Sequence, residues 1–257
     1  MRIHHLDCGT MRTLPAPAGL DPLPAVAHCL LVETDTDLVL VDTGFGLLDV
    51  REPDVLGAEF RGWAQPRLDP DRTAVRQLAR LGLDPADVRH VVPTHLHVDH
   101  SGGLPDFPYA TVHVAAAELA SAGEHPHWAH GPRWQPYEEG GEPWFGFATA
   151  KQPAGLPDGI RLVPLAGHTP GHTAVAVRDG DGWLLHAGDA YFFHGELRRP
   201  AVPGPPELDA LQSRAEHDRA RRLAYNERLA ALVADEPGVT VVCAHDPWEY
   251  AGLSGSR

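Results

Sequence analysis

Short apolar runs recur along the chain, each bounded by Gly, Pro or Asp. Their length and β-branched content predict strands at 27–33, 38–41, 88–92, 111–114, 160–165, 173–177, 183–186 and 239–243. Helical spacing lies between them. Residues 71–81 follow Pro70, precede Gly82 and carry Val75, Leu78, Ala79 and Leu81 on one face. Residues 115–122 show a second helical pattern, and 208–234, rich in Ala, Leu and Arg, predicts the longest helix. Strands mixed with helices in this way predict a layered α/β architecture.

Residues 123–159 break the pattern. They hold Trp128, Trp134, Trp144, Phe145, Phe147 and Tyr137 among prolines, glycines and three histidines. A connection of that length inside a compact domain usually serves a function. It is therefore expected to form an aromatic lid or wall over a pocket, with Trp128 and Trp144 as candidate substrate contacts. The plainer alternative is a surface excursion whose aromatics cap the core.

With 257 residues, 43% of them hydrophobic, the chain can bury a sizeable core and is expected to form one domain over 1–257. A formal charge of −14 repels phosphate backbones and argues against nucleic-acid partners. Cys8, Cys29 and Cys243 are odd in number and scattered, which suits a reduced compartment. The first residues lack the apolar run of a signal peptide, and no stretch is apolar enough to span a bilayer. A cytoplasmic protein without membrane partners is expected; the oligomeric state is left open.

The most telling stretch is Thr94-His95-Leu96-His97-Val98-Asp99-His100-Ser101-Gly102-Gly103. Core packing gives no reason to crowd three imidazoles and a carboxylate into six residues; metal ligation does. His95 and His97, two apart, share a side of an extended segment. Asp99 and His100 follow where Ser101-Gly102-Gly103 is expected to let the backbone turn sharply. Three further polar clusters also stand just after predicted strands: Gly167-His168-Thr169-Pro170-Gly171-His172, Gly188-Asp189-Ala190 and Ala244-His245-Asp246. In layered α/β folds, sites gather outside the carboxyl ends of strands, so the four clusters are expected to meet on one rim. Imidazoles with carboxylates suit Zn²⁺, and also Mn²⁺ or Fe²⁺. Other polar residues invite plainer roles. His172 would orient backbone or a ligand, and Asp42 its turn or a ligand histidine. His113 and His186 would be structural, while His4, His5, His90 and His217 would lie at the surface. Asp246 would support the site from behind or be exposed, and His194 is a candidate for the pocket wall.

These clusters together resemble the metallo-β-lactamase superfamily. Residues 95–100 match its H-x-H-x-D-H signature, His168, Asp189 and His245 follow in its order, and Val41-Asp42-Thr43-Gly44 resembles its early D-T-G turn. The likeness runs from about 27 to 248. It implies a four-layer αββα sandwich of two similar halves with two divalent metal ions, zinc by preference, at one edge. His95, His97 and His168 would hold the first ion, Asp99, His100 and His245 the second, and Asp189 would bridge them. The reaction implied is attack of metal-activated hydroxide on a carbonyl, with Asp99 orienting the nucleophile and passing a proton to the leaving group. Within the superfamily the pattern is nearest to N-acyl homoserine lactonases and related ester hydrolases, so a small lactone or ester is the expected partner. Those lactonases usually carry a tyrosine three residues after the bridging aspartate. Here Phe192 stands there, with Tyr191 one residue earlier; both are candidate substrate contacts. A glyoxalase-II-like thioesterase and a non-catalytic metal-binding protein on the same fold are the alternatives. A β-lactamase fits less well, because the first cluster ends in His.

Overall fold

The computed structural model describes residues 1–17 and 19–254. Among them, the strands build two main sheets. The first runs β1 (Arg2–Leu14), β2 (Leu23–Glu33), β3 (Leu38–Val41), β4 (Val88–Val92), β5 (Thr111–Ala115) and β6 (Arg133–Tyr137) in spatial order. A two-stranded sheet, β7 (Glu142–Trp144) with β8 (Phe147–Ala150), precedes the second main sheet. That sheet contains β9 (Ile160–Pro164), β10 (Thr173–Asp179), β11 (Gly182–His186) and β12 (Val239–Val242), ordered β12-β11-β10-β9.

Alternation along the strands explains how the sheets stack. Side chains two apart share a face, and here both faces are apolar. In β2 and β3, Leu30, Val32, Val39 and Val41 join a core with Leu162, Val175, Val177 and Leu184 of the second sheet. Their neighbours Cys29, Leu31, Leu38 and Leu40 point outward, onto Ala74 and Leu78. On the far side, Val163, Ala174, Ala176 and Leu185 meet Leu229, Ala230 and Leu232. Helix, sheet, sheet and helix therefore form four layers, the αββα sandwich that the resemblance implies.

The helices are α1 (Leu47–Arg51), α2 (Ala58–Ala64), α3 (Ala74–Arg80), α4 (Val98–Ser101), α5 (Ala116–Ala122), α6 (Pro206–Ala215), α7 (Arg219–Asp235) and α8 (Pro247–Ser254). The long helix expected at 208–234 is broken between α6 and α7. Backbone donors at the break serve another segment: His217 N–H reaches the carbonyls of Gly167 at 3.1 Å and His168 at 2.9 Å, and Asp218 N–H reaches Gly167 O at 2.7 Å. Asp218 then caps α7 by accepting from Arg221 N at 3.0 Å. The interruption thus anchors the loop that carries His168. No described helix is long and apolar enough to cross a membrane.

Much of the region 123–159 completes the sheets. β6 extends the first sheet beside β5, and Lys151 pairs with Leu162 at the margin of the second. Trp144 packs edge-on to Trp183, centroids 5.7 Å apart, against the outer core of the second sheet.

Candidate metal centre

Strand directions bring the polar clusters together. β10 runs antiparallel to both β9 and β11, and β12 is parallel to β11. The carboxyl ends of β9, β11 and β12 therefore point the same way and deliver His168, Asp189 and His245 to one edge. From the facing sheet, parallel β3 and β4 deliver Asp42 and residues 94–100. The two sheets are tied across this edge by Thr173 N–H to Thr94 O at 2.9 Å and His28 N–H to Ala244 O at 2.9 Å.

Locally, His95 lies in an irregular bend and His97 caps α4. The turn expected at Ser101–Gly103 is present: α4 ends at Ser101, and Gly102, at φ −59, and Gly103 turn the chain after it. Glycine is needed there for room: a Cβ on Gly102 would stand 2.5 Å from Val98 O and 2.6 Å from Asp49 Oδ2. Gly188 needs both its freedom and its size, since it has φ +53 and a Cβ would sit 2.5 Å from His172 Nε2.

The donor atoms converge in two groups. His97 Nδ1 lies 3.0 Å from His95 Nε2 and 3.0 Å from His168 Nε2. His245 Nε2 lies 3.3 Å from His100 Nε2 and 3.4 Å from Asp99 Oδ2. Asp189 stands between them. Its Oδ2 is 3.2 Å from His168 Nε2 and 4.0 Å from His95 Nε2, while its Oδ1 is 3.2 Å from His100 Nε2 and 3.1 Å from His245 Nε2. Ligand atoms on a tetrahedral ion with bonds of about 2.0–2.1 Å stand about 3.3–3.4 Å apart, so these spacings fit divalent metal. Asp189 Oδ1 is buried without a hydrogen-bond partner among the described residues, as a carboxylate oxygen reserved for a cation would be. Burial first, then neighbouring imidazoles, holds His95 well below the usual histidine range; burial does the same to His168. Both are thereby kept in the neutral form that binds metal.

The nitrogens facing away from the centre have their own partners. His100 Nδ1 donates to Asp42 Oδ2 at 2.8 Å and His245 Nδ1 to Val26 O at 2.8 Å. His95 Nδ1 is 3.1 Å from Thr94 Oγ1. Such contacts fix which nitrogen is presented inward. Asp42 also accepts from Thr94 N at 2.6 Å, so it sets both a turn and a histidine. His172 Nδ1 donates to Leu165 O at 3.1 Å and leaves Nε2 to accept from Asp189 N at 3.0 Å, which orients the backbone of Asp189. His186 donates to His28 O at 2.7 Å inside the core.

Glu118 is a supporting residue that the sequence reading passes over. Buried on α5, its Oε1 accepts from Leu96 N at 2.8 Å, and its Oε2 accepts from Thr169 Oγ1 at 2.6 Å and Gly171 N at 3.1 Å. One carboxylate therefore ties the loop of His95 and His97 to the loop of His168.

A cavity of about 860 Å³ opens onto the centre and is lined there by His97, Asp99, His168, Asp189 and His245. Most of its apolar wall comes from outside 123–159: Met11 and Leu14 of β1, Leu56, Phe60 and Trp63 around α2, and Leu208 and Leu211 of α6. The candidates for substrate contact separate accordingly. Phe192 lines the cavity, edge-on to His245 with centroids 5.0 Å apart. Trp128 lines it too, backed by Trp134. Trp144 does not, being taken up by the outer core. Tyr191 is wholly buried on the opposite side of the strand end; its hydroxyl donates to Glu249 Oε1 at 2.9 Å. Burial, with Asp246 adding, raises that glutamate to about 7. His194 is also turned away, because Asp246 Oδ2 accepts from both its backbone N at 2.7 Å and its Nδ1 at 2.8 Å.

Imidazole and carboxylate donors gathered where strands end, beside a substrate-sized cavity, define a metal-dependent hydrolase. The model of the metallo-beta-lactamase superfamily matches residues 23–245. A probable metallo-hydrolase of Mycobacterium tuberculosis is 41% identical, over 97% of this chain and 82% of its own. The N-acyl homoserine lactonase AttM of Rhizobium radiobacter is 32% identical, over 73% of this chain and 69% of its own. In fold, the chain is similar to an N-acyl homoserine lactone hydrolase solved with the product N-hexanoyl-L-homoserine at its catalytic metal centre. The TM-score is 0.72 at 21% identity, covering 97% of this chain and 95% of that one. The chain belongs to the metallo-β-lactamase superfamily.

Proposed function

We propose that the protein is a dinuclear metal-dependent hydrolase that cleaves a lactone or related carboxylic ester bearing an apolar acyl chain. The observation that carries this reading is the placement of Asp189, with one oxygen beside each group of donors. His95, His97 and His168 would hold one ion, Asp99, His100 and His245 the other, and Asp189 both. When bound, such a pair of ions supplies an activated hydroxide and polarises the ester carbonyl. Asp99, only slightly exposed on the cavity floor, holds the proton of the nucleophile and delivers it to the leaving alkoxide. Phe192 excludes water beside His245 and offers no hydrogen bond. With Tyr191 committed to Glu249, no tyrosine among the described residues lines the cavity.

The wall is mainly apolar and suits an acyl chain; the glutathione carboxylates of the thioesterase alternative would have to bind at Arg12 or Arg214, which also line the cavity, and Arg214 is already paired with Glu59 at 2.7 Å. Protein purified without chelator is expected to hold two equivalents of transition metal. It is also expected to open acyl lactones faster than it cleaves glutathione thioesters. Saturation at one equivalent would overturn the dinuclear reading, and preference for the thioester would overturn the substrate.

The wall itself makes a second expectation. Trp63 meets Phe60 edge-on at 4.9 Å in the cavity lining. Burial of each methylene contributes about 0.8 kcal/mol, so Trp63→Ala should reduce kcat/KM for long acyl chains more than for short ones. Trp144→Ala should not change that ratio. Equal losses on all chain lengths for Trp63→Ala would place the acyl group elsewhere.

A further inference from the structure

Asp49, His127 and His125 form a line of side chains from the protein interior to the cavity, and the hydrolytic centre does not use it. Asp49 and His127 are buried; His125 is half-buried and lines the cavity. Asp49 Oδ2 accepts from Gly46 N at 2.8 Å, and Oδ1 lies 2.5 Å from His127 Nε2. The other ring nitrogen, His127 Nδ1, is 2.7 Å from Nδ1 of His125, and the two rings stack with an interplanar angle of 19°.

The His127–Asp49 bond fastens this turn to α1, and His125 Nδ1 also accepts from His127 N at 3.4 Å where the turn begins. Beyond that cap, the second imidazole carries the hydrogen-bonded line on to the cavity. Asp49 keeps a proton on His127 Nε2, and the short contact between the two Nδ1 atoms needs one proton between them. That proton can rest on His125, which leaves its Nε2 an acceptor. It can also rest on His127, as an imidazolium beside the Asp49 carboxylate, with His125 Nε2 then a donor.

We propose that His125 is the acid–base group through which the cavity passes protons to solvent, with His127 and Asp49 as its positioning residues. This rests on the ester reading above. Hydrolysis of an ester near neutral pH yields a carboxylate, an alcohol and one proton, and the proton has to leave a centre whose groups are almost all buried. His125 takes it on Nε2 and releases its Nδ1 proton to His127 Nδ1. The resulting imidazolium is balanced by Asp49, and the same steps reversed return the proton to water at the half-exposed His125. At the centre an O–H bond breaks as the Nε2–H bond forms, within the line one N–H bond breaks as another forms, and on release the Nε2–H bond breaks as an O–H bond forms on water. Burial, then His127, lowers the proton affinity of His125, while Asp49 opposes them. Two other titratable groups face this line. Asp106, beside α1, is raised to about 6 by burial and by Asp49, against Arg51 and Arg76. His130, whose Nδ1 donates to His127 O at 2.9 Å, is lowered chiefly by burial.

The test uses the metal-loaded full chain. In weakly buffered solution His125→Ala is expected to lower kcat on the order of tenfold to a hundredfold with KM unchanged, and added imidazole should restore turnover. Asp49→Asn should move the low-pH limb of kcat to lower pH, because the charge that favours the imidazolium is gone. Independently of substrate, the imidazole ¹⁵N signals of His125 should titrate at lower pH in Asp49→Asn than in the wild type. An unshifted transition would overturn the proposal, as would a loss of kcat that imidazole does not rescue. A shifted transition in a protein that cleaves no ester would uphold the relay and reject the ester reading.

Discussion

Asp99→Asn is expected to lower kcat on the order of a thousandfold while leaving the fold intact. The carboxylate sits in the first turn of α4, with Oδ2 3.4 Å from His245 Nε2 and 3.9 Å from His100 Nε2. Asparagine keeps the volume but loses the anionic donor and the proton acceptor together. Its NH₂ would face atoms that also need an acceptor or a cation. The fold should survive because Asp99 supports no core packing: α4 is held by other atoms, notably Thr43 N–H to His100 O at 2.8 Å and Ser101 Oγ to His97 O at 3.0 Å. Steady-state kinetics alongside circular dichroism and metal analysis would read these effects. Turnover near wild type at full metal loading would remove Asp99 from the reaction.

Much of this architecture is legible in the sequence because burial on both faces of a sheet leaves short apolar runs that little else produces. The donor clusters are legible for the opposite reason: His95, Asp99, His100, His168, Asp189 and His245 are buried polar groups that packing alone would not select. What escapes notice is set by partners distant in the chain. β1 mixes His4, His5, Asp7 and Gly9 with its apolar residues, and it kinks where its register with β2 shifts between Asp7 and Thr10, so no clean alternation marks it. The aromatic residues of 123–159 drew attention by composition, yet most of them complete sheets. Most of the wall lies outside that region, on Phe60 and Trp63 of α2 and on Leu56, which ends a separate turn before Gly57, so no single helical pattern marks it in the sequence. Glu118 resembles any surface glutamate of a short helix, because the loops that bury it arrive from residues 96 and 169–171. His127 gives no local sign that its partner is Asp49, 78 residues earlier.

Glu118→Gln is expected to weaken metal binding ten- to a hundredfold, the usual effect of losing a partner behind a metal site. The carboxylate satisfies three donors at once, and an amide cannot. With its oxygen turned to Leu96 N, the Gln NH₂ would face Gly171 N–H, leaving a buried donor unpaired at a cost of about 1–3 kcal/mol. The Thr169 hydroxyl could rotate to accept from the amide, so the damage should concentrate on the backbone of 169–171. That segment directly follows His168, and Leu96 lies between His95 and His97. On the proposed two-ion reading, the ion held by those three histidines should therefore leave first and the one held by Asp99, His100 and His245 later, because the outward partners of that second group, Asp42 and Val26, do not touch Glu118. Gly171 has no slack to compensate: a Cβ there would stand 2.2 Å from Glu118 N, so loop and helix are already in close contact. Stepwise chelator competition, followed by metal analysis of the half-depleted protein, would separate the two losses. Equal loss of both ions would make Glu118 a general support of the fold. Unchanged resistance to chelator would show that the two loops hold their positions without it.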